Sequence, residues 1–386
     1  MPLFWEHHLW PGKMKIGFDA KRLYNNFTGL GNYSRTAIDI LTESFPENEY
    51  LLYTPKIKEN HVTSPYLDRK GCRTILPKSV IRGSLWRTFR LASETKKDGV
   101  DLFHGLSNEL PVGLDIPSVV TIHDVAFRTF PDMYHRTDIM TYNLKWRYAC
   151  RNADRIIAIS ESTKQDIIRF YDVDPTKISV VYQPVNKIFY SQKECGSPPQ
   201  ELAEQIGEQP FMLYVGSINS RKNLLGAVRA LELLPGELRI PLVIVGDGRE
   251  YKQKVMSYIA KQRLEDMTIF MPGKTIYELK YLYRNARLLV YPSFYEGFGL
   301  PVVEALLSGC PVVTSNLSSL PEAAGPASML ADPNNPEEIS DKMRMILSDE
   351  TFRTKIAYEG LRYAAKRFNP QRLAKELMEV YRHTLT

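Results

Sequence analysis

Short apolar runs rich in β-branched residues alternate along the chain with longer stretches whose apolar positions recur every three or four residues. In the first half the runs fall at 16–19, 51–54, 101–104, 119–122, 155–159 and 178–181; in the second they fall at 211–215, 242–245, 267–271, 288–291, 311–314 and 328–331. A strand covered on both faces reads as a continuous apolar run, so the pattern predicts parallel strands buried between helices. Strand and helix in regular alternation mean an α/β fold with doubly wound sheets. Between the two series, 184–208 changes character, with Gly196, Ser197 and the pair Pro198-Pro199, and is expected to link two Rossmann-like domains. These are residues 1–190 and 209–370. Beyond Asp349 the pattern is helical, with a break at Asn369-Pro370 that sets residues 371–386 apart as a terminal helix.

Composition narrows the class. The 386 residues exceed one ordinary core, and 44% hydrophobic with 24% charged residues is the balance of a globular protein. No apolar run approaches the roughly 18–20 residues of a membrane span. Cys72, Cys150, Cys195 and Cys310 are scattered, without zinc-like spacing, and are read as free thiols in a reducing, cytoplasmic compartment. Residues 1–13, with Trp5, His7, His8 and Trp10, lack a signal-peptide cleavage pattern and read as a leader extension or a translation-start artefact. The formal charge is +6, and residues 51–100 alone hold eleven cations against four anions. There, Leu85, Trp86, Phe89 and Leu91 are interleaved with Arg82, Arg87 and Arg90, as in a basic amphipathic helix. Such a helix either rests on an anionic membrane face or packs its apolar side on its own domain; nucleic acid is not the expected partner.

The candidate chemistry centres on the run from Tyr291 to Leu306, where a strand gives way to a helix. Glu296 falls in the loop and Glu304 about one turn inside the helix, so the two carboxylates grip different parts of one ligand. Gly299 allows close backbone approach, and Pro301 suits the start of a helix whose free N–H groups favour phosphate. The segment reads as a diphosphate seat flanked by two hydroxyl-binding carboxylates. In this context, Pro-Ser followed by Glu-Gly-Phe-Gly and Pro-x-x-Glu, it resembles the signature of retaining nucleotide-sugar glycosyltransferases of family four, with the two-domain GT-B fold, a family that includes many bacterial mannosyltransferases.

That resemblance implies transfer of a sugar from a nucleoside diphosphate to a hydroxyl of a glycan or lipid-linked saccharide, with no cofactor and no metal. Mannose from GDP-mannose is the leading donor, and assembly of a cell-surface polysaccharide or lipopolysaccharide the leading setting. The first domain would bind acceptor, the second donor, and the terminal helix would cross back onto the first. Arg221 and Lys222 follow the strand-ending Gly216, and both would stabilise charge growing on the departing diphosphate. The resemblance places Glu304 on the ribose and Glu296 on hydroxyls of the transferred sugar. It also implies donor contacts from Gly31, Gly216, Asp247, Gly297, Phe298, Gly299 and Leu300. His123 and Asp124 end a strand, at the edge where parallel sheets bind ligands. His123 is expected at the transferred sugar, and Asp124, Gly29 and the strand-ending His104 on the acceptor side. Ser160 and Thr163 read as a helix cap and Glu322 as a brace for a neighbouring helix. A nucleotide-sugar epimerase on the same architecture and a noncatalytic carbohydrate-binding protein are the alternatives.

Overall fold

Among the described residues the twelve apolar runs and one further segment form thirteen strands, all parallel, in two sheets. The computed structural model describes residues 12–77, 83–191, 200–207 and 209–386. The N-terminal extension through Pro11, Lys78 and Arg82 of the basic stretch, Cys195 and the Gly196–Pro199 core of the expected linker lie outside the described residues. The chain divides into two compact units. One comprises the residues up to Ile159, Lys164–Val181 and Gln371–Thr386; the other comprises Ser160–Thr163 and Tyr182–Pro370.

In the first unit β1 (Lys15–Asp19), β2 (Glu49–Tyr53), β3 (Cys72–Ile75), β4 (Leu102–Gly105), β5 (Ser118–Ile122), β6 (Arg155–Ala158) and β7 (Ile178–Val180) are ordered β3-β2-β1-β4-β5-β6-β7. The second unit orders β8 (Met212–Val215), β9 (Leu242–Val245), β10 (Thr268–Met271), β11 (Leu289–Tyr291), β12 (Val312–Ser315) and β13 (Met329–Ala331) as β10-β9-β8-β11-β12-β13. Both orders reverse beside the first strand of the unit, between β1 and β4 and between β8 and β11. In open α/β sheets the loops leaving such a pair diverge to opposite faces and open a crevice at the strands' carboxyl ends.

Burial matches the continuous apolar runs. Leu242, Val243 and Ile244 are fully buried, as are Leu289, Val290 and Tyr291. Truncating any of the leucines to alanine costs about 2–5 kcal/mol in a core this closed. The edge strand β3 went unread because Cys-Arg-Thr-Ile is short and mixed, with Arg73 exposed.

The break at Asn369-Pro370 separates helices Glu350–Arg367 and Pro370–Leu385. The last helix lies within the first unit. Its Tyr381 is fully buried, and Arg382 stacks over Phe45. The first unit ends at Val181, ahead of the expected linker, because Val185 and Phe189 are apolar anchors buried in the second unit, Phe189 against Tyr283.

The basic stretch in part takes the second of its two expected forms, packing Trp86 and Leu91 on its own domain. It is split into helices Gly83–Phe89 and Leu91–Lys97, and Trp86 is fully buried with its indole N–H donating to Glu94 at 2.7 Å. Arg87 is no surface charge: it pairs with Asp19 at 2.6 Å and with Glu109 at 3.2 Å. A guanidinium taken out of water needs such partners, and here two carboxylates supply them. Leu85 and Phe89 stay exposed. No helix among the described residues is long and apolar enough to cross a membrane.

Candidate active site

At the β8/β11 reversal the two emerging loops are knitted together by backbone. Asn223 takes a left-handed conformation (φ 53°), caps the Leu224–Leu233 helix through Gly226 N–H, and donates its amide to the carbonyls of Pro292 and Pro333. The Arg221 carbonyl accepts from Phe294 N–H at 2.8 Å and from the Ser293 hydroxyl at 3.1 Å. These bonds set the side chains of Arg221 and Lys222 against the loop that carries Glu296.

Glu296 is the hub. Its Oε1 accepts from Lys222 Nζ, the Tyr291 hydroxyl and the Ser293 hydroxyl, each at 2.9 Å, and Oε2 pairs with Arg221 at 3.2 Å. Arg221 also donates to the Tyr295 carbonyl, and Lys222 to the Tyr291 hydroxyl, over whose ring it sits. The Glu296 backbone is fixed by the hydroxyls of Ser318 and Ser319. Burial alone would raise the Glu296 pKa, but Lys222, Arg221 and the hydroxyl donors outweigh it and hold the carboxyl at about 2. Glu296 is therefore ionised at neutral pH, set between the side chains of Arg221 and Lys222. With Oε1 engaged three times, Oε2 carries the carboxylate's remaining acceptor capacity.

Two glycines have geometric work in this cluster. Gly216 (φ 148°) leaves room for the Lys222 stem, whose Cδ would lie 3.2 Å from an added Cβ. Gly299 (φ 104°) precedes the Leu300–Leu307 helix, and its Cβ would fall 2.8 Å from Leu320 Cδ2. Leu300 opens that helix and Pro301 sits one residue further in than expected. Glu304, on the helix, accepts from the Tyr283 hydroxyl at 3.0 Å. Burial pushes its pKa up to about 7, with the Tyr283 bond holding it back.

Other expected donor contacts are placed differently. Phe298 is 2% exposed and packs edge-on against Phe368 and beside Tyr182, so its ring anchors the loop and presents no face to a ligand. The Gly297 carbonyl accepts from the hydroxyls of Ser160 and Thr163, which also form the expected cap. Asp247 shapes its turn by accepting Ile218 N–H at its carbonyl, while its side chain is 70% exposed and pairs with Lys252 at 2.9 Å. Glu322 is a brace, accepting from the backbone N–H groups of Glu161 and Ser162.

In the first unit, His123 directly follows β5, with its Nε2 at 2.9 Å from the Leu106 carbonyl and its ring edge-on to Tyr33 at 4.5 Å. Burial lowers its pKa to about 4 against the opposing pull of Leu106 and Asp124, so the ring is neutral at pH 7. Asp124 is partly exposed and caps Ala126 N–H. His104 requires a correction. It is fully buried, with Nδ1 at 2.7 Å from the Tyr381 hydroxyl and Nε2 at 2.8 Å from Thr121 Oγ1, so both nitrogens are committed and none faces an acceptor. Its work is to tie the terminal helix to the sheet. Gly29 and Gly31 form the first turn of the Gly29–Ser44 helix. A Cβ on Gly31 would lie 1.8 Å from the Asn26 carbonyl, and the Gly31 N–H is already taken by the Asn26 side chain; nothing crowds Gly29.

Sequence reasoning passed over Tyr291, Ser293, Asn223 and Tyr283. The first two lie within the quoted run and the third adjoins Lys222, so each was visible as a polar group beside the motif. Tyr283, on the Ile276–Asn285 helix, had no such signal.

Comparison with known proteins gives the family and the fold. Residues 200–363 match the family model of glycosyl transferases group 1, and residues 38–187 that of glycosyltransferase family 4. The O-antigen chain mannosyltransferase B of Escherichia coli is 30% identical over 96% of this chain and 100% of its own length. Among solved structures, Anabaena HepE in complex with UDP-glucose superposes with a TM-score of 0.74 at 16% identity, covering 96% of this chain and all of that one. WaaG, a glycosyltransferase involved in lipopolysaccharide biosynthesis, gives 0.69 at 18% identity over 95% of this chain and 99% of its own. The chain belongs to the family 4 glycosyltransferases and has their GT-B fold.

Proposed function

We propose that this glycosyltransferase moves mannose from GDP-mannose, with retention of anomeric configuration, to a hydroxyl of a glycan or lipid-linked saccharide in the assembly of a cell-surface polysaccharide. The observation that carries the reading is the cluster of Arg221, Lys222 and Glu296 at the β8/β11 crevice. A pair of cations held there stabilises a diphosphate more as its bond to the sugar breaks, which lowers the barrier rather than merely tightening binding. Glu304 accepts from the ribose, Glu296 through Oε2 from the transferred sugar. The acceptor hydroxyl enters on the face the diphosphate leaves, and the diphosphate takes its proton, so neither a covalent nucleophile nor a divalent ion is needed. The mannosyl assignment follows the Escherichia coli relative, whose name specifies mannosyl transfer to O-antigen chains. The enzyme would work in the cytoplasm, peripheral to the inner face of the membrane.

The test is a panel of nucleotide sugars screened by thermal stabilisation, because a ligand that binds the folded form alone raises the melting temperature. GDP-mannose is expected to give the largest shift, and transfer with a membrane extract is expected to persist in EDTA. A larger shift with a uridine nucleotide sugar overturns the donor. Loss of transfer in EDTA with recovery in magnesium overturns the metal-free mechanism, and a β-linked product overturns retention.

A further inference from the structure

Glu296 and Glu304 lie on one loop-and-helix segment but are held in opposite ways. Glu296 is fixed by two cations and two hydroxyls, whereas the Glu304 side chain has a single partner among the described residues, the Tyr283 hydroxyl, which donates to Oε2 at 3.0 Å. The phenol is firmly seated for that bond. Tyr283 stands on the Ile276–Asn285 helix, fully buried, with its ring edge-on to the buried Phe189 at 5.9 Å, so its hydroxyl has little room to swing. Burial and the neighbouring carboxylate hold it well above its ordinary pKa, and it remains a donor. Oε1 is left without a partner among the described residues, on a side chain that is partly exposed. Other titratable groups on the elements packed against the Leu300–Leu307 helix act elsewhere. Tyr291 of β11 serves Lys222 and Glu296, Tyr190 donates to the Phe368 carbonyl, Tyr363 donates to the Glu322 carbonyl, and the Glu322 side chain accepts from Glu161 and Ser162. Lys280, one turn before Tyr283, forms no ion pair with Glu304. Burial and Tyr283 are accordingly what set the carboxyl at about 7.

We infer that Tyr283 is a positioning residue for donor binding: by holding Glu304 Oε2 it presents Oε1 to the nucleotide as an acceptor. The inference rests on the reading that Glu304 accepts from the ribose. A hydrogen bond made to the charged form of a group favours that form, so Tyr283 keeps an acceptor available near neutral pH where burial alone would leave a carboxylic acid. The acid would set a proton of its own against a ribose hydroxyl and lose acceptor capacity. The choice of a phenol over a cation matters as well. An arginine in its place would fix the carboxylate as firmly but add a second attraction for phosphate, whereas a neutral donor orients Glu304 and leaves the diphosphate to Arg221 and Lys222.

The full chain is titrated calorimetrically with GDP and with UDP between about pH 6 and pH 9, with the 2′,3′-dideoxy form of each alongside. Wild type is expected to bind the preferred nucleotide more tightly as pH rises through about 7, and to hold its dideoxy form about tenfold more weakly above that pH. Tyr283→Phe is expected to weaken the intact nucleotide about tenfold at neutral pH and to move the midpoint of the profile up by about one pH unit. Glu304→Gln is expected to leave only the titration of the phosphates, and in that background Tyr283→Phe is expected to cost no further affinity. An equal loss at every pH with the midpoint unmoved, or the same loss in the Glu304→Gln background, would make Tyr283 a packing residue alone and overturn the inference. A midpoint that moves while intact and dideoxy nucleotides bind equally well upholds the positioning and removes the ribose reading. A wild type that binds neither nucleotide overturns both.

Discussion

Replacing Glu304 by glutamine tests the electrostatics of the second unit most directly. The carboxyl ordinarily titrates at 4.5, and its folded value lies at about 7 because burial penalises the charged form. A group with a raised folded pKa binds more protons in the folded state between those values. Its favourable contribution is complete below pH 4.5 and lost as pH rises through 7. The interval corresponds to about 3 kcal/mol. Glu304→Gln keeps the shape and removes the titration, so the stability difference between variant and wild type should move in the variant's favour by up to about 3 kcal/mol between pH 4.5 and pH 8. Urea denaturation of both proteins across that range, following the transition of the second unit, measures it. Other titrating groups are common to the pair and cancel. Parallel pH profiles would show that Glu304 is solvated like an ordinary glutamate and refute the reasoning.

Three further outcomes are expected. Arg221→Ala or Lys222→Ala should each lower turnover roughly a hundredfold if they stabilise leaving charge, and steady-state rates within a few-fold of wild type would remove that role. Gly299→Ala should cost about 1–3 kcal/mol, since alanine at φ 104° is strained and its Cβ meets Leu320; an unchanged denaturation midpoint would contradict it. Tyr381→Phe deprives buried His104 of a partner and should cost about 1–3 kcal/mol, with faster hydrogen exchange in the terminal helix as the sign that the tie was lost.

The sheets were legible because strands buried on both faces must be uniformly apolar, and the runs at 242–245 and 288–291 fell within a residue of β9 and β11. Glu296, Arg221 and Lys222 were legible as charges placed where strand ends meet helix starts. That the two cations close on Glu296 was not, since nothing in one dimension says which loops adjoin; that follows from the strand order, which brings β8 beside β11. His104 misled for a related reason. A histidine ending a strand looks the same in sequence whether it meets solvent or, as here, a tyrosine some 280 positions later. Arg87 misled likewise, its partners Asp19 and Glu109 lying on other segments. Phe298 belongs to a motif that implies ligand contact, and the fold uses the ring as packing beneath the loop.

At Glu296 the protein sets a carboxylate of its own against Arg221 and Lys222. A pocket holding two bare cations would be a trap for any stray inorganic phosphate or sulfate in the cell. With its own carboxylate seated as a resident counter-ion, the protein makes each loose anion compete for charge already partly neutralised. A diphosphate joined to sugar and nucleoside brings additional points of attachment to that contest. A built-in counter-ion thus favours ligands that attach at several points over a lone anion.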